Sequence, residues 1–361
     1  MRIVAKIGTA SITDSRGVID QHAVAKLVDE VAALHTDGHE VIVVSSGAVA
    51  AGVAALDLAG RPTDMQTLQA VSAVGQSRLV ERYNIEFARH GVVGAQLLVD
   101  SMDFVARRQY LHLRSTLERL LELRVVPIVN ENDAIANDEL RYGDNDRIAA
   151  LIANSVNADV LALLTDMDGV FTADPRRDAS AELIPLVTAD DPLLAITAGG
   201  GGSGRGSGGM ASKLTAARMA SWSGIRAVIA RAARPDVLAG AVSAERVGTT
   251  FEAHVRTLSA RKLWIAFAAE IGGTVVVDDG ARTALVSRPN SLLPAGVVSV
   301  GGQFEAGDVI DIADTSGDVF ARGIAAASSV VADQAIGRHT RDLPEGLDEL
   351  VHRDDLVVLS G

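Results

Sequence analysis

Two lysines, Lys6 and Lys213, each stand beside a glycine motif, and a compact ammonium on a flexible stem suits chemistry at a phosphoryl oxygen. Lys6 ends the apolar run Arg2-Ile3-Val4-Ala5-Lys6 and is followed by Ile7-Gly8-Thr9, while Lys213 closes Ser207-Gly208-Gly209-Met210-Ala211-Ser212-Lys213. Only four lysines occur among the 33 basic residues. Arginine therefore serves wherever any positive charge will do, and a retained lysine marks a task that the bulky, planar guanidinium performs poorly. The other two, Lys26 and Lys262, read as ordinary surface lysines.

Two acidic clusters form the second candidate group: Asn130-Glu131-Asn132-Asp133 and Gly143-Asp144-Asn145-Asp146. Buried together, these acids repel one another, so they call for cations: the two lysines, a magnesium ion or an ammonium group on a substrate. Calcium is the competing ligand, but the EF-hand spacing with its distal glutamate is absent. Taken singly, Asp146 reads as a helix N-cap and Asn130 as a turn residue; the two clusters together, one at a strand end, favour a site. Backbone N–H groups at Gly8, Gly47, Gly208 and Gly209, with the positive end of a helix beginning near Ala211, would meet an anion. Gly204-Arg205-Gly206-Ser207-Gly208-Gly209 matches the dinucleotide fingerprint formally, but it lacks the preceding strand and an acid roughly twenty residues on. No Gly-Lys pair occurs, so there is no Walker A lysine.

The elements that must hold these residues alternate along the first 250 positions. Short β-branched runs predict strands at Ile3 to Lys6, Val41 to Val44, Val93 to Leu98, Val125 to Val129, Val160 to Leu164 and Ala227 to Ile229. Between them, helical patterns cover Gln21 to His35, Asp64 to His90, Asp103 to Leu123, Asp146 to Val156 and Ala211 to Ser221. This alternation implies a mainly parallel sheet sandwiched by helices, an α/β fold whose ligands bind beyond the carboxyl ends of the strands. After Phe251 the pattern changes to short strands separated by turns such as Asp278-Asp279-Gly280. The expected division is therefore a catalytic domain over 1–251, a linker over 252–260 and a small, mainly β domain over 261–361.

Composition narrows the class. The 361 residues are 48% hydrophobic but 3% aromatic, so the core must be built of Ala, Val, Leu and Ile. With no cysteine, thiol redox chemistry, disulfides and thiolate metal sites are excluded. The absence of a leader pattern and of a membrane-length apolar stretch leads us to expect a cytoplasmic protein with no membrane partner. A net charge of −13 disfavours nucleic acid, and from Leu258 onward eight Lys/Arg face fifteen Asp/Glu.

The ordered motifs carry a resemblance. Lys6-Ile7-Gly8-Thr9, Val44-Ser45-Ser46-Gly47-Ala48, Ala73-Val74-Gly75-Gln76, Val129-Asn130-Glu131-Asn132-Asp133, Gly143-Asp144-Asn145-Asp146, Leu164-Thr165-Asp166 and Gly208-Gly209-Met210-Ala211-Ser212-Lys213 resemble the series of the glutamate 5-kinases. Those enzymes have the amino acid kinase fold, often followed by a PUA domain, which Leu292-Leu293-Pro294-Ala295-Gly296 and Val351-His352-Arg353-Asp354-Asp355 resemble. The resemblance implies ATP-dependent phosphorylation of the side-chain carboxylate of L-glutamate, the first step of proline biosynthesis. It assigns Lys6 and Lys213 to the transferring phosphoryl group and Asp146 to holding those lysines. Ser46, Gly47, Asn130, Asp133, Asp144 and Asn145 would surround glutamate. Lys6, Gly8, Thr165, Asp166 and the segment Ser207, Gly208, Gly209, Met210, Ala211, Ser212, Lys213 would contact ATP. Magnesium would be bound through the nucleotide phosphates, with no side chain assigned to metal; proline is the expected feedback inhibitor, and a homo-oligomer is expected. The rival readings are another kinase of the same fold, RNA binding through the PUA-like domain, and an NAD-dependent dehydrogenase.

Overall fold

The computed structural model describes the chain except residues 15–17, 105, 136–144, 190, 192, 194–208, 255–257, 269–270, 289, 339–347 and 360–361. Contacts divide the chain into two compact units, residues 1–194 with 205–257, and residues 258–361 with 195–204.

The first unit is built on an eight-stranded sheet. Its strands are β1 (Arg2–Ile7), β2 (Glu40–Ser45), β3 (Gly94–Val99), β4 (Val126–Glu131), β5 (Val160–Thr165), β6 (Leu186–Val187), β7 (Arg226–Arg231) and β8 (Gly248–Phe251), in the order β3-β4-β2-β1-β5-β7-β8-β6. All pairings are parallel except β7 with β8. Strands β4 and β5 are buried along their whole length, and β1 and β2 beyond their first residue, because helices cover both faces. That explains why they read as continuous apolar runs without alternation. Ile7 is in register with both Ser45 and Leu164, and Val44 with Val129, so the carboxyl ends of β1, β2, β4 and β5 reach the same rim. Chain order runs one way from β1 to β2 and the other way to β5, which makes that rim a topological switch point.

The covering helices are α1 (Thr9–Ile12), α2 (Gln21–Thr36), α3 (Ala48–Ala55), α4 (Met65–Arg89), α5 (Arg107–Glu122), α6 (Asn145–Ser155), α7 (Met210–Trp222) and α8 (Val237–Ser243). Helix α2 starts where Asp20 accepts from the backbone N–H groups of His22 and Ala23, and α4 where Asp64 accepts from Thr67. Along α4 the buried positions Leu68, Val71, Ser72, Gly75, Gln76, Leu79 and Tyr83 follow helical spacing, so one long face lies on the unit. Helix α3, absent from the sequence-based reading, fills the short gap after Gly47. A Cβ on Gly75 would stand 1.7 Å from the Ala48 carbonyl oxygen, and one on Gly52 would stand 1.9 Å from that of Val71. Only glycine lets α3 and α4 cross this closely.

Lys26 departs from its reading as a plain surface residue. Its Nζ donates to the carbonyls of Ala232 and Arg234, both at 2.6 Å, and pairs with Glu30 at 2.8 Å. It ties α2 to the turn after β7, a strut that needs a flexible stem with several donors. Lys262 is half-buried.

The second unit has a five-stranded sheet of β9 (Ile271–Val277), β10 (Val297–Gly302), β11 (Val309–Ala313), β12 (Val319–Ile324) and β13 (Leu356–Val358), ordered β10-β9-β11-β12-β13. Only β9 with β11 is parallel. Short helices α9 (Ala260–Leu263), α10 (Asp279–Ser287) and α11 (Ser329–Gln334) accompany it. Val275, Ile310, Ile312, Phe320 and Val351 form its core. Arg322 is buried there but paired, donating to Asp311 at 2.7 Å and to the Ala266 carbonyl at 2.6 Å. Among the described residues no helix is long and apolar enough to cross a membrane.

Candidate active site

The two lysines singled out from the sequence meet on one carboxylate. Lys6, at the end of β1, places Nζ 2.6 Å from Asp146 Oδ1, and Lys213, in the first turn of α7, places Nζ 3.1 Å from Asp146 Oδ2. Ser212 donates to the same Oδ2 at 2.9 Å. Asp146 is fully buried, and the lysines are 2% and 4% exposed, so this is a charge cluster inside the protein. Burial alone would push the Asp146 carboxyl up; the two ammonium groups and the Ser212 hydroxyl outweigh it and hold the group below the usual carboxylate range. The residue lies inside the first turn of α6, with its carboxylate turned to the lysines, and is therefore no N-cap.

A polar network lies beside it. Asn145, at the first position of α6, donates through Nδ2 to Ser46 Oγ at 3.2 Å and to Asn130 Oδ1 at 2.9 Å. The Glu131 backbone N–H donates to Asn130 Oδ1 and Asn145 Oδ1, which fixes which way both amides face. Asn130 is 3% exposed, and its Nδ2 is a buried donor with no partner among the described residues. Such a donor costs about 1–3 kcal/mol unless a ligand or water meets it. Gly47 follows Ser46 at φ +104°, a conformation that favours glycine, and begins α3.

Asp133 follows the end of β4 by two residues and is half-buried. Burial raises its carboxyl above the usual value, and hydrogen bonds with Ser72 and Glu131, together with the Arg61 charge, pull it partly back. Ser72 Oγ donates to Asp133 Oδ2 at 3.1 Å. Asp144, predicted to join it, lies outside the described residues.

On the opposite side, Thr165 ends β5 and donates to Asp166 Oδ1 at 3.1 Å, while Arg176 donates to Asp166 Oδ2 at 3.1 Å. Gly209 begins α7 with no side-chain cap and open space where a Cβ would stand. The first N–H groups of α7, at Met210 and Ala211, thus stand at the positive end of a 13-residue helix, beside Lys213. Ser207 and Gly208, like the fingerprint look-alike up to Gly208, lie outside the described residues. Gly8 differs from expectation in one respect: its N–H already donates to the Leu164 carbonyl at 3.3 Å. Its contribution is room, since a Cβ there would stand 3.8 Å from Lys6 Nζ.

Sequence reasoning missed what α4 and α3 do. Gln76 donates to the Glu131 carbonyl at 3.2 Å, and Tyr83, fully buried, shares a 2.9 Å hydrogen bond with Ser45 Oγ next to Ser46. Burial pushes the Tyr83 hydroxyl up to about 12, against the weaker opposing pull of Ser45, so it stays neutral. The Ala73-Val74-Gly75-Gln76 motif was the available signal, since Ser72 and Gln76 are one turn apart on one helix face. Among the described residues no group of three or more His, Asp or Glu is placed to hold a metal ion.

Comparison with known proteins gives the family of the chain. The model of the amino acid kinase family matches residues 1–231, and that of the PUA domain residues 273–347. A glutamate 5-kinase of Chromohalobacter salexigens is 45% identical, with 99% of this chain and 96% of that protein covered. One of Myxococcus xanthus is 47% identical with 99% and 96% covered, and one of Pseudomonas savastanoi pv. phaseolicola is 44% identical with 99% of each covered. The resemblance seen in the motifs thus extends over both units, and the chain belongs to the glutamate 5-kinase family, an amino acid kinase domain followed by a PUA domain.

Proposed function

We propose that the protein transfers the γ-phosphoryl group of ATP to the side-chain carboxylate of L-glutamate, giving L-glutamyl 5-phosphate for proline biosynthesis. The observation that carries this reading is the buried Lys6–Asp146–Lys213 cluster at the switch point of the sheet, beside the uncapped start of α7. A carboxylate nucleophile is already ionised at neutral pH, so the reaction needs no general base. It needs alignment of two anions and neutralisation of the charge on the equatorial oxygens of the transferring group. Lys6 and Lys213 supply that positive charge, and Asp146 sets their positions and keeps them from repelling one another. The α7 N-terminus, with Thr165 and Asp166 across the rim, forms the nucleotide side.

The Asn130, Asn145, Ser46 and Asp133 groups form the amino acid side: Asp133 as the partner of the substrate ammonium, and the Asn130 Nδ2 as a donor to one of its carboxylate oxygens. Asp144 shares the ammonium in this reading. An acetylated substrate, which lacks an ammonium, would leave Asp133 with no cation but the Arg61 charge. Magnesium fits as a companion of the nucleotide: Asp146 is taken up by the two lysines, which leaves the phosphates and water as its ligands. There it would supply further charge neutralisation. Proline, with the same α-carboxylate and a cationic nitrogen, is the feedback inhibitor of this site, and the working form is a homo-oligomer in the cytoplasm.

The test is trapping of the acyl phosphate with hydroxylamine in the presence of ATP and magnesium. L-glutamate yields hydroxamate, whereas aspartate, acetylglutamate and nucleotides do not support comparable ATP turnover. Faster turnover with any of those three rejects the assignment.

A further inference from the structure

Helix α4 touches the amino acid side of the site at a point that the reaction itself does not explain. Ser72 is fully buried, yet it is polar, and its Oγ donates to Asp133 Oδ2 at 3.1 Å. One turn further on, Gln76 donates to the Glu131 carbonyl at 3.2 Å. The same helix face holds Gly75, whose hydrogen in place of a side chain lets α4 lie against the Ala48 carbonyl at the start of α3. The close crossing therefore sets the height of Ser72 and Gln76 over the end of β4. A side chain at position 72 one methylene longer or unable to donate would meet Asp133 differently.

We propose that Ser72 is a positioning residue for amino acid recognition: its hydroxyl holds the Asp133 carboxylate in the orientation that receives the substrate ammonium. This rests on the reading of the substrate as glutamate. From β4 the Glu131 side chain, another acid, bonds to Asp133, and from the segment before α4 the Arg61 charge acts on it. Ser72 is the hydroxyl donor among these groups. Together with the Glu131 contact and the Arg61 charge, it stabilises the carboxylate form against burial.

The sign of the pH effect follows. The ammonium needs Asp133 as a carboxylate, and a donor to that form lowers its affinity for a proton. Without the hydroxyl, burial pushes the group further up, so the pH below which glutamate binding fails moves to higher pH.

The experiment is steady-state kinetics of Ser72→Ala in the full-length enzyme, with hydroxamate formation as the readout. KM for glutamate rises roughly tenfold, the size expected for one hydrogen bond to a charged group. The values of kcat and KM for ATP stay within about twofold, as expected when only ground-state binding of the amino acid is weakened. The acid limb of the KM profile for glutamate shifts to higher pH. In an Asp133→Asn background, Ser72→Ala changes KM for glutamate no further, because the group it acts through is gone. Unchanged KM in the single variant, a fall confined to kcat, an unmoved acid limb, or additive effects in the double variant each overturn the role of Ser72. These results leave the substrate assignment standing so long as the wild-type enzyme phosphorylates glutamate; a wild-type enzyme inactive on glutamate removes both.

Discussion

Replacing Asp146 by Asn tests the centre of the site, because one carboxylate holds two buried ammonium groups. At an effective dielectric of about 20, Coulomb's law gives roughly 6 kcal/mol for the 2.6 Å contact with Lys6 and roughly 5 kcal/mol for the 3.1 Å contact with Lys213. Desolvation of three charges offsets most of this, and removing the shared partner of such a buried group costs about 3–5 kcal/mol net. Asn keeps the shape and a carbonyl oxygen but leaves two like charges facing each other. The expected loss of stability at neutral pH is therefore on the order of 3–5 kcal/mol by urea denaturation. The pH dependence has a definite sign. The folded-state carboxyl lies below its ordinary value, so its contribution is full above the unfolded-state pKa of about 3.9 and is lost as pH falls through the folded value. The gap between wild type and Asp146→Asn therefore narrows on acidification. Turnover, followed by hydroxamate formation, falls at least about a hundredfold, because the ammonium groups are no longer held where the transferring charge develops. An Asp146→Asn enzyme with wild-type kcat would refute the reasoning, whatever its stability.

Lys213→Ala or Lys6→Ala lowers kcat by on the order of a hundredfold with the fold retained by circular dichroism, and Arg rescues neither position; near-wild-type turnover in Lys213→Ala rejects the role. Asp133→Asn raises KM for glutamate far more than KM for ATP and weakens proline inhibition in parallel, so an equal rise in both KM values places this residue elsewhere. Proline competes with glutamate in initial-rate measurements; inhibition that glutamate cannot overcome rejects a shared site. Asp103, which accepts from the Asp100 N–H at 2.8 Å in the turn after β3, is expected to alter that competition, and an unchanged inhibition constant in Asp103→Asn excludes it. A chain ending near Glu252 keeps kinase activity while soluble, since every proposed catalytic group precedes that point; a folded but inactive truncation assigns a catalytic role to the second unit.

The sequence by itself determined the elements and the chemistry of their ends. Short apolar runs such as Val160 to Leu164 read as strands covered on both faces, and the motif loops follow those strands, so the rim of a parallel sheet was legible as the site. Lysines kept in an arginine-rich chain marked Lys6 and Lys213 before any contact was known. Tertiary structure decided what these groups do to one another. Lys6 and Lys213 are 207 positions apart; the family resemblance assigns Asp146 to holding both, but only the fold brings its carboxylate, from a third element, to 2.6 and 3.1 Å from them. Helix α3 was invisible because Ala48–Ala55 is apolar all round and offers no amphipathic period. The part played by α4 was hidden for a different reason: Ser72 and Gln76 acquire meaning only when Gly52 and Gly75 allow two helices to cross at backbone contact, which brings one helix face onto the end of β4. Helical spacing is written in local sequence, whereas such a crossing depends on which surfaces the folded sheet leaves to be covered.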